Sequence, residues 1–387
     1  MADTVSLVFT GDIGFDKYMD GKWEDEELIS DEVLAFLHSG DHVIANVEGA
    51  LVAQETPQDQ EGVKQLVHAM DPAAANVLRT MHADIWNLCN NHILDAGDEG
   101  VQKTLEEAER FGAKTVGAGM NLDQAKKILY FPEAGGIGMF SVGFRTGCKP
   151  AGEAKAGTLL WNEMELIEEN IRKIKQTCRW CVLIVHGGEE FTALPSPYVR
   201  DRYLRFLDMG ADVIVGHHPH VPMNYETVGD KVIFYSLGNF IFDTDYQRAQ
   251  FHTDEGVLVK LNFTPDRFFW EAEGIRILRG PEHIVKGDLP KIFTDVPPQE
   301  YEKLEPLAAK MFLAATKRQQ IYLNPAVFES MTPEEWEAHF TDPNRRYRVP
   351  GEALDFTIIW ELARQAETGA WNDSRLEQVK TYILEQL

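Results

Sequence analysis

The feature that most constrains the fold is a set of short apolar runs, each ending in polar side chains. "VSLVFTGD" ends at Asp12, "HVIANVEG" near Asn46 and Glu48, and "ADIWNLCNNH" at Asn90, Asn91 and His92. "CVLIVHGGEE" ends at His186, Glu189 and Glu190, and "ADVIVGHHPH" at His217, His218 and His220. "KVIFYSLGNF" carries Ser236 and Asn239. Runs of about four to eight residues, rich in Val and Ile, read as buried strands. Between several of them the period becomes helical. Residues 98–112 carry acid at their start and Gly112 at their end, 166–176 repeat the pattern, and 196–210 end at Gly210. This alternation predicts an α/β protein.

After residue 255 the texture changes. Residues 256–278 read as two strands joined at a Thr-Pro-Asp turn, an antiparallel addition to the sheet system. Residues 279–298 hold four prolines and two glycines and read as a linker. Beyond them "EYEKLEPLAAKMFLAAT", "TPEEWEAHF" (capped by Thr332 or Ser330), "ALDFTIIWELARQA" and "RLEQVKTYILEQL" predict a helical appendage over 299–387.

Carboxyl ends of strands in α/β sheets converge on the ligand crevice. Asp, Glu, Asn and His are the side chains that hold divalent cations with mixed oxygen and nitrogen ligands. The four cysteines, Cys89, Cys148, Cys178 and Cys181, lie outside this set, and "CRWC" has no second pair to complete a zinc knuckle. They read as core residues. The imidazoles argue against a pure calcium or magnesium cage. Manganese, zinc or iron fits best, with magnesium or calcium left open, and the surplus of candidate ligands leaves room for two metals. With 62 acidic and 37 basic side chains, the net charge of −25 repels nucleic acid and anionic lipid and offers no attraction to a long polyanion. The start of the chain lacks a signal-peptide pattern, and no apolar run approaches the roughly 18 residues of a membrane helix, so a soluble, cytoplasmic protein is expected.

In order along the chain, "FTGDIGF", "ANVEGAL", "NLCNNHILDAGDEGVQKTLE", "GAGMNLDQA", "VLIVHGGEEF", "GADVIVGHHPHVP" and "IFYSLGNFIFD" carry a resemblance over residues 4–278. They resemble the CapA-type poly-γ-glutamate capsule-synthesis family, which is related to the calcineurin-like metallophosphoesterases. The resemblance implies a four-layer α/β/β/α sandwich over 1–278, followed by the linker at 279–298 and the helical appendage at 299–387. It implies Asp12, Glu48, Asn91, His186, His218 and His220 as metal ligands, with Glu48 bridging. His92 takes the position of the phosphoesterase general acid and Asp95 that of its orienting partner, while His217, Glu189 and Asn239 become substrate-binding positions. An Asp95 partner would raise the His92 pKa and keep an acid available near neutral pH; the alternative is that Asp95 caps the helix starting near Gly97. Asp12 is followed by Ile13 and Gly14 where phosphoesterases carry Asp-x-His, and "GHHPH" is one residue longer than their GHxH, which leaves His217 as a third candidate ligand after His218 and His220.

The function implied is a metal-dependent hydrolase or transferase acting on a peptide, amide or phosphoester bond of a peptide or small-molecule substrate, in poly-γ-glutamate metabolism. Two alternatives stand beside it. One is a metal-dependent peptide epimerase of the kind found in lasso-peptide biosynthesis. The other is a non-catalytic subunit of a polymer synthase.

Overall fold

A computed structural model of the chain describes residues 4–52, 68–145, 147–342 and 356–387. Among them, eight strands form one sheet. Its order is His283–Gly287, Phe268–Leu278, Glu255–Phe263, Val5–Ile13, His42–Val47, Ile85–Asn87 and Lys114–Val116, with Asn239–Ile241 pairing to the end of Val5–Ile13. A second sheet of six runs Tyr225–Val228, Lys231–Phe234, Val213–His217, Trp180–His186, Ile137–Gly143 and Leu129–Phe131.

Alternation along the strands builds the layers. In the first sheet Leu7, Phe9, Ile44 and Ile85 turn towards the second sheet, while Val8, Val43, Ala45 and Trp86 face a separate core with helices Asp31–Leu37 and Gly97–Phe111. In the second sheet Val182 to Val185 are all fully buried. One face meets the first sheet; the other meets Ile167, Ile171 and Ile174 of helix Met164–Thr177 and Tyr203 and Phe206 of helix Pro197–Met209. Burial on both faces explains why "CVLIV" and "VIV" are continuous apolar runs rather than alternating ones. The result is a four-layer α/β/β/α sandwich.

The antiparallel pair Glu255–Phe263 and Phe268–Leu278 turns around Pro265 and Asp266, as the Thr-Pro-Asp signal predicts. The stretch 279–298 differs from the linker expected of it. His283–Gly287 pairs antiparallel with Phe268–Leu278 and forms the sheet edge. Pro281 and Pro290 flank this strand without entering it, so the prolines mark its limits and not an unstructured connection.

Past residue 297 every described element is a helix: Pro298–Leu323, Pro325–Phe328, Pro333–Thr341, Phe356–Ala363 and Ser374–Leu384. Thr332, not Ser330, caps Pro333–Thr341, in a reciprocal capping box with Glu335. Residues 353–355 of the predicted third helix lie outside the described residues. One cluster here is internal, joining Phe312, Phe328, Trp336, Phe340, Phe356 and Ile359. Another docks these helices on the sandwich, packing Leu304, Leu307 and Met311 with Ala193, Leu194 and Ile292.

Candidate metal centre

The carboxyl ends of both sheets meet in one polar cluster. In the first sheet Asp12, Asn46 and Asn87 stand in register on neighbouring strands. Their side chains form a chain of hydrogen bonds: Asn87 Nδ2 donates to Asn46 Oδ1 (2.6 Å), and Asn46 Nδ2 donates to Asp12 Oδ1 (2.7 Å). Gly11 is required there, because a Cβ would lie 2.2 Å from the Gly238 carbonyl oxygen. Glu48 follows one residue after the strand end and is fully buried. In the second sheet His186 and His217 are in register. Gly216, just before His217, has no room for a Cβ, which would sit 2.1 Å from the Tyr235 carbonyl oxygen.

The "HHPH" loop then folds back over the first sheet. The His218 backbone N–H donates to Asp12 Oδ2 at 3.3 Å. His218 and His220 both have positive φ, 99° and 59°. Non-glycine residues held there cost roughly 1–3 kcal/mol each and cluster at functional sites.

Of the expected ligands, Asp12, Glu48, Asn91, His186, His218 and His220 come together. Asn91 Oδ1 lies 2.8 Å from His186 Nε2; Glu48 Oε1 lies 3.6 Å from His186 Nε2 and 3.7 Å from His220 Nε2. His220 Nδ1 lies 3.3 Å from Asp12 Oδ2. Glu48, His218 and His220 offer ligand atoms within 4.8 Å of one another, as do Asp12, Glu48 and His186. His217, expected among substrate-binding positions, is also in the cluster, its Nδ1 being 3.4 Å from Asp12 Oδ1.

The donor atoms fit a cation. Both oxygens of Glu48, Nδ1 of His186, Nδ1 of His218 and both ring nitrogens of His217 are buried without a hydrogen-bond partner. Leaving so many buried polar atoms unpaired costs about 1–3 kcal/mol each unless something else satisfies them.

Without a cation the charges are lopsided. Burial alone would raise the Asp12 pKa, but His217 and His220 outweigh it and hold the carboxylate well below its usual range. Burial pushes Glu48 well up. Burial lowers His218 to about 3, with His220 adding repulsion, and drives His186 well down. At His220 burial is overcome by Glu48 and Asp12, which lift it to about 10.

His92 and Asp95 are paired, with His92 Nδ1 2.7 Å from Asp95 Oδ2. The capping alternative does not occur, since Ala96 occupies the N-cap of Gly97–Phe111 and no side chain bonds there. The expected rise in pKa is reversed. Burial and the neighbouring His68 outweigh Asp95 and lower His92 to about 4, so the ring is neutral at neutral pH.

Two expected substrate positions make other contacts. Asn239 is fully buried and positions His220, accepting from its Nδ1 at 2.9 Å while its own Nδ2 donates to Gln247 Oε1 and the Thr253 carbonyl. Such a bond leaves His220 Nε2 as the free ligand nitrogen. Glu189 turns away to Ser196, whose Oγ donates to it at 2.8 Å. Its neighbour Glu190 faces the cluster, with Oε1 3.9 Å from His218 Nε2. Asp16 and His68 are not among the residues that the sequence singles out. They pair at 2.5 Å, and His68 packs edge-on to His92. Only the short interval from Asp12 to Asp16 hints at the first; no local pattern marks His68.

Residues 6–244, which include every expected site residue, match the family described as "Bacterial capsule synthesis protein PGA_cap". The chain is 30% identical over 273 residues to the PGA biosynthesis protein CapA of Bacillus subtilis (strain 168), covering 68% of this chain and 71% of that protein. It is 30% identical over 226 residues to the capsule biosynthesis protein CapA of Bacillus anthracis, covering 56% of this chain and 54% of that protein. A hypothetical protein from Thermus thermophilus is similar in structure at 14% identity and a TM-score of 0.43, over 70% of this chain and 98% of that one.

Proposed function

The chain belongs to the bacterial capsule synthesis protein family PGA_cap, and from that premise we propose a metal-dependent hydrolase or transferase acting on an amide bond of a γ-glutamyl chain. The observation that carries the reading is Glu48, a fully buried carboxylate with both oxygens unpaired and imidazole nitrogens 3.6 and 3.7 Å from one of them. A carboxylate in that setting is costly unless a cation joins it. Asp12, Glu48, Asn91, His186, His218 and His220 would hold one or two divalent ions, manganese, zinc or iron by their mixed donor set. When bound, the metal polarises the carbonyl and lowers the pKa of water.

The chain's own groups handle the protons. His92 is fixed by Asp95 so that Nε2 is the free nitrogen, and burial keeps the ring neutral. It therefore takes a proton from the attacking water or amine at the start of a turnover. The net charge of −25 gives no long-range attraction to poly-γ-glutamate, which limits recognition to the part of the polymer inside the cleft.

The test is incubation of the purified protein with poly-γ-glutamate and Mn²⁺ or Zn²⁺, following chain length and new amino ends. The proposal expects metal-dependent shortening or transfer that a chelator abolishes. An unchanged polymer with every metal tried removes it.

A further inference from the structure

Beside the metal cluster stands a second histidine–carboxylate pair that the reading above does not use. His68 Nδ1 lies 2.5 Å from Asp16 Oδ2, and the His68 backbone N–H donates at 2.9 Å to Asp95 Oδ2. That same Asp95 oxygen lies 2.7 Å from His92 Nδ1. One carboxylate oxygen thus ties the His68 main chain to the His92 side chain. The two rings meet edge-to-face with centroids 4.1 Å apart, and Phe242 packs against His68 from another side at 5.2 Å.

Each imidazole has Nδ1 committed to an aspartate, and among the described residues no hydrogen bond reaches Nε2 of either ring. Two rings in one cleft, each oriented by its own carboxylate, match what a reaction moving two protons requires. The backbone is built to bring His68 there. Gly49, directly after Glu48, has φ of 117°, and a Cβ on it would lie 2.7 Å from the His68 carbonyl oxygen. Strand Ala69–Met70 then pairs with Ala50–Leu51, fixing the approach. Only glycine at 49 lets the main chain of His68 close on the Glu48 turn.

We propose that His68, held by Asp16, is a second catalytic residue, delivering the proton to the leaving nitrogen while His92 receives the one given up by the nucleophile. The proposal rests on the amide-bond reading above. In hydrolysis, the water oxygen forms a bond to the carbonyl carbon and its proton passes to His92 Nε2. The C–N bond breaks with its electron pair going to nitrogen, which takes the proton of His68 Nε2. The products are a carboxylic acid and an amine, and exchange with solvent returns the proton from His92 and restores the one on His68. Asp16 orients the ring of His68 as Asp95 orients that of His92.

The experiment compares wild type, H68Q, D16N and H92Q, each loaded with Zn²⁺ and supplied with poly-γ-glutamate, with metal content measured alongside. H68Q is expected to lower kcat by about 10²–10⁴-fold, with KM and bound zinc unchanged. Histidine ¹⁵N NMR of the zinc-loaded protein is expected to show His68 protonated at both ring nitrogens in wild type and H92Q, with the Nε2 proton lost in D16N. Full kcat in H68Q, or a fall explained by lost zinc, overturns the proposal. So does a His68 protonation pattern that D16N leaves untouched. A wild-type protein that opens no amide bond overturns the reading beneath it, and with it the proton assignment; turnover that survives in H68Q overturns the proposal alone.

Discussion

The sandwich and the helices after residue 297 contribute very differently to the site. The expected ligands all come from strand ends or the turns that follow them, in a frame where a one-residue register error would turn each side chain to the other face. The helices reach the cluster indirectly. Gln319, on Pro298–Leu323, donates from Nε2 to Glu190 Oε2 at 2.9 Å, and Tyr246 donates to the same oxygen at 3.1 Å. Glu190 is thereby held with its other oxygen towards His218. The polar cluster belongs to the sheet ends, and the helices trim one wall of it.

That division can be broken or sharpened by experiment. The largest effect is expected at His92. H92Q should keep its metal yet lose about 10²–10⁴-fold in turnover. Loss of metal in that variant would instead make the ring a ligand.

A core change among the helices should do the opposite. Trp336 is 4% exposed and stacks on Phe328 and Phe340. W336A should cost about 3 kcal/mol of local stability, seen as faster amide exchange over 325–341, with zinc binding retained. Parallel loss of zinc would show that the two regions are one cooperative unit.

The pH dependence of the metal-free protein should report the sandwich. His92 and His218 protonate near about 4 and about 3 in the folded state against an ordinary 6.5. The unfolded chain therefore binds more protons between those values, and stability falls as pH drops below 6.5. His220 is displaced the other way, to about 10, so its contribution is full below 6.5 and is lost as pH rises through about 10. Denaturation midpoints in a chelator should fall on both sides, and a flat profile would contradict the charge arrangement. The smallest effect is expected for Q319A, a severalfold change in KM corresponding to the about 1 kcal/mol of one hydrogen bond, with kcat nearly intact.

The alternation of strands and helices was readable because its signals are local, while the two-sheet sandwich followed from the family resemblance. The glycines predicted to end two helices, Gly112 and Gly210, adopt positive φ at those C-caps, and polar residues follow the apolar runs at the cluster. What escaped is non-local or a matter of facing. His68 approaches Glu48 through a glycine contact that no spacing reveals. Glu189 and Glu190 are adjacent, and which one faces the cluster depends on how the loop leaves the strand; the Phe191 N–H bonded to the Pro219 carbonyl sets that exit. Asn239 carries the same side chain as a substrate contact would, but its bonds to Gln247 and Thr253 bury it under His220. His283–Gly287 is obscured by the prolines that bound it.

Metal content of wild type and E48Q, measured side by side after loading with Zn²⁺ and removal of free ions, shows whether Glu48 holds a cation. Glutamine keeps the shape of Glu48 and removes its charge from a fully buried position between His186 and His220. Tightly held zinc is expected in the wild type and its loss in E48Q, with the fold kept. Zinc retained equally by both proteins, or by neither, would contradict it.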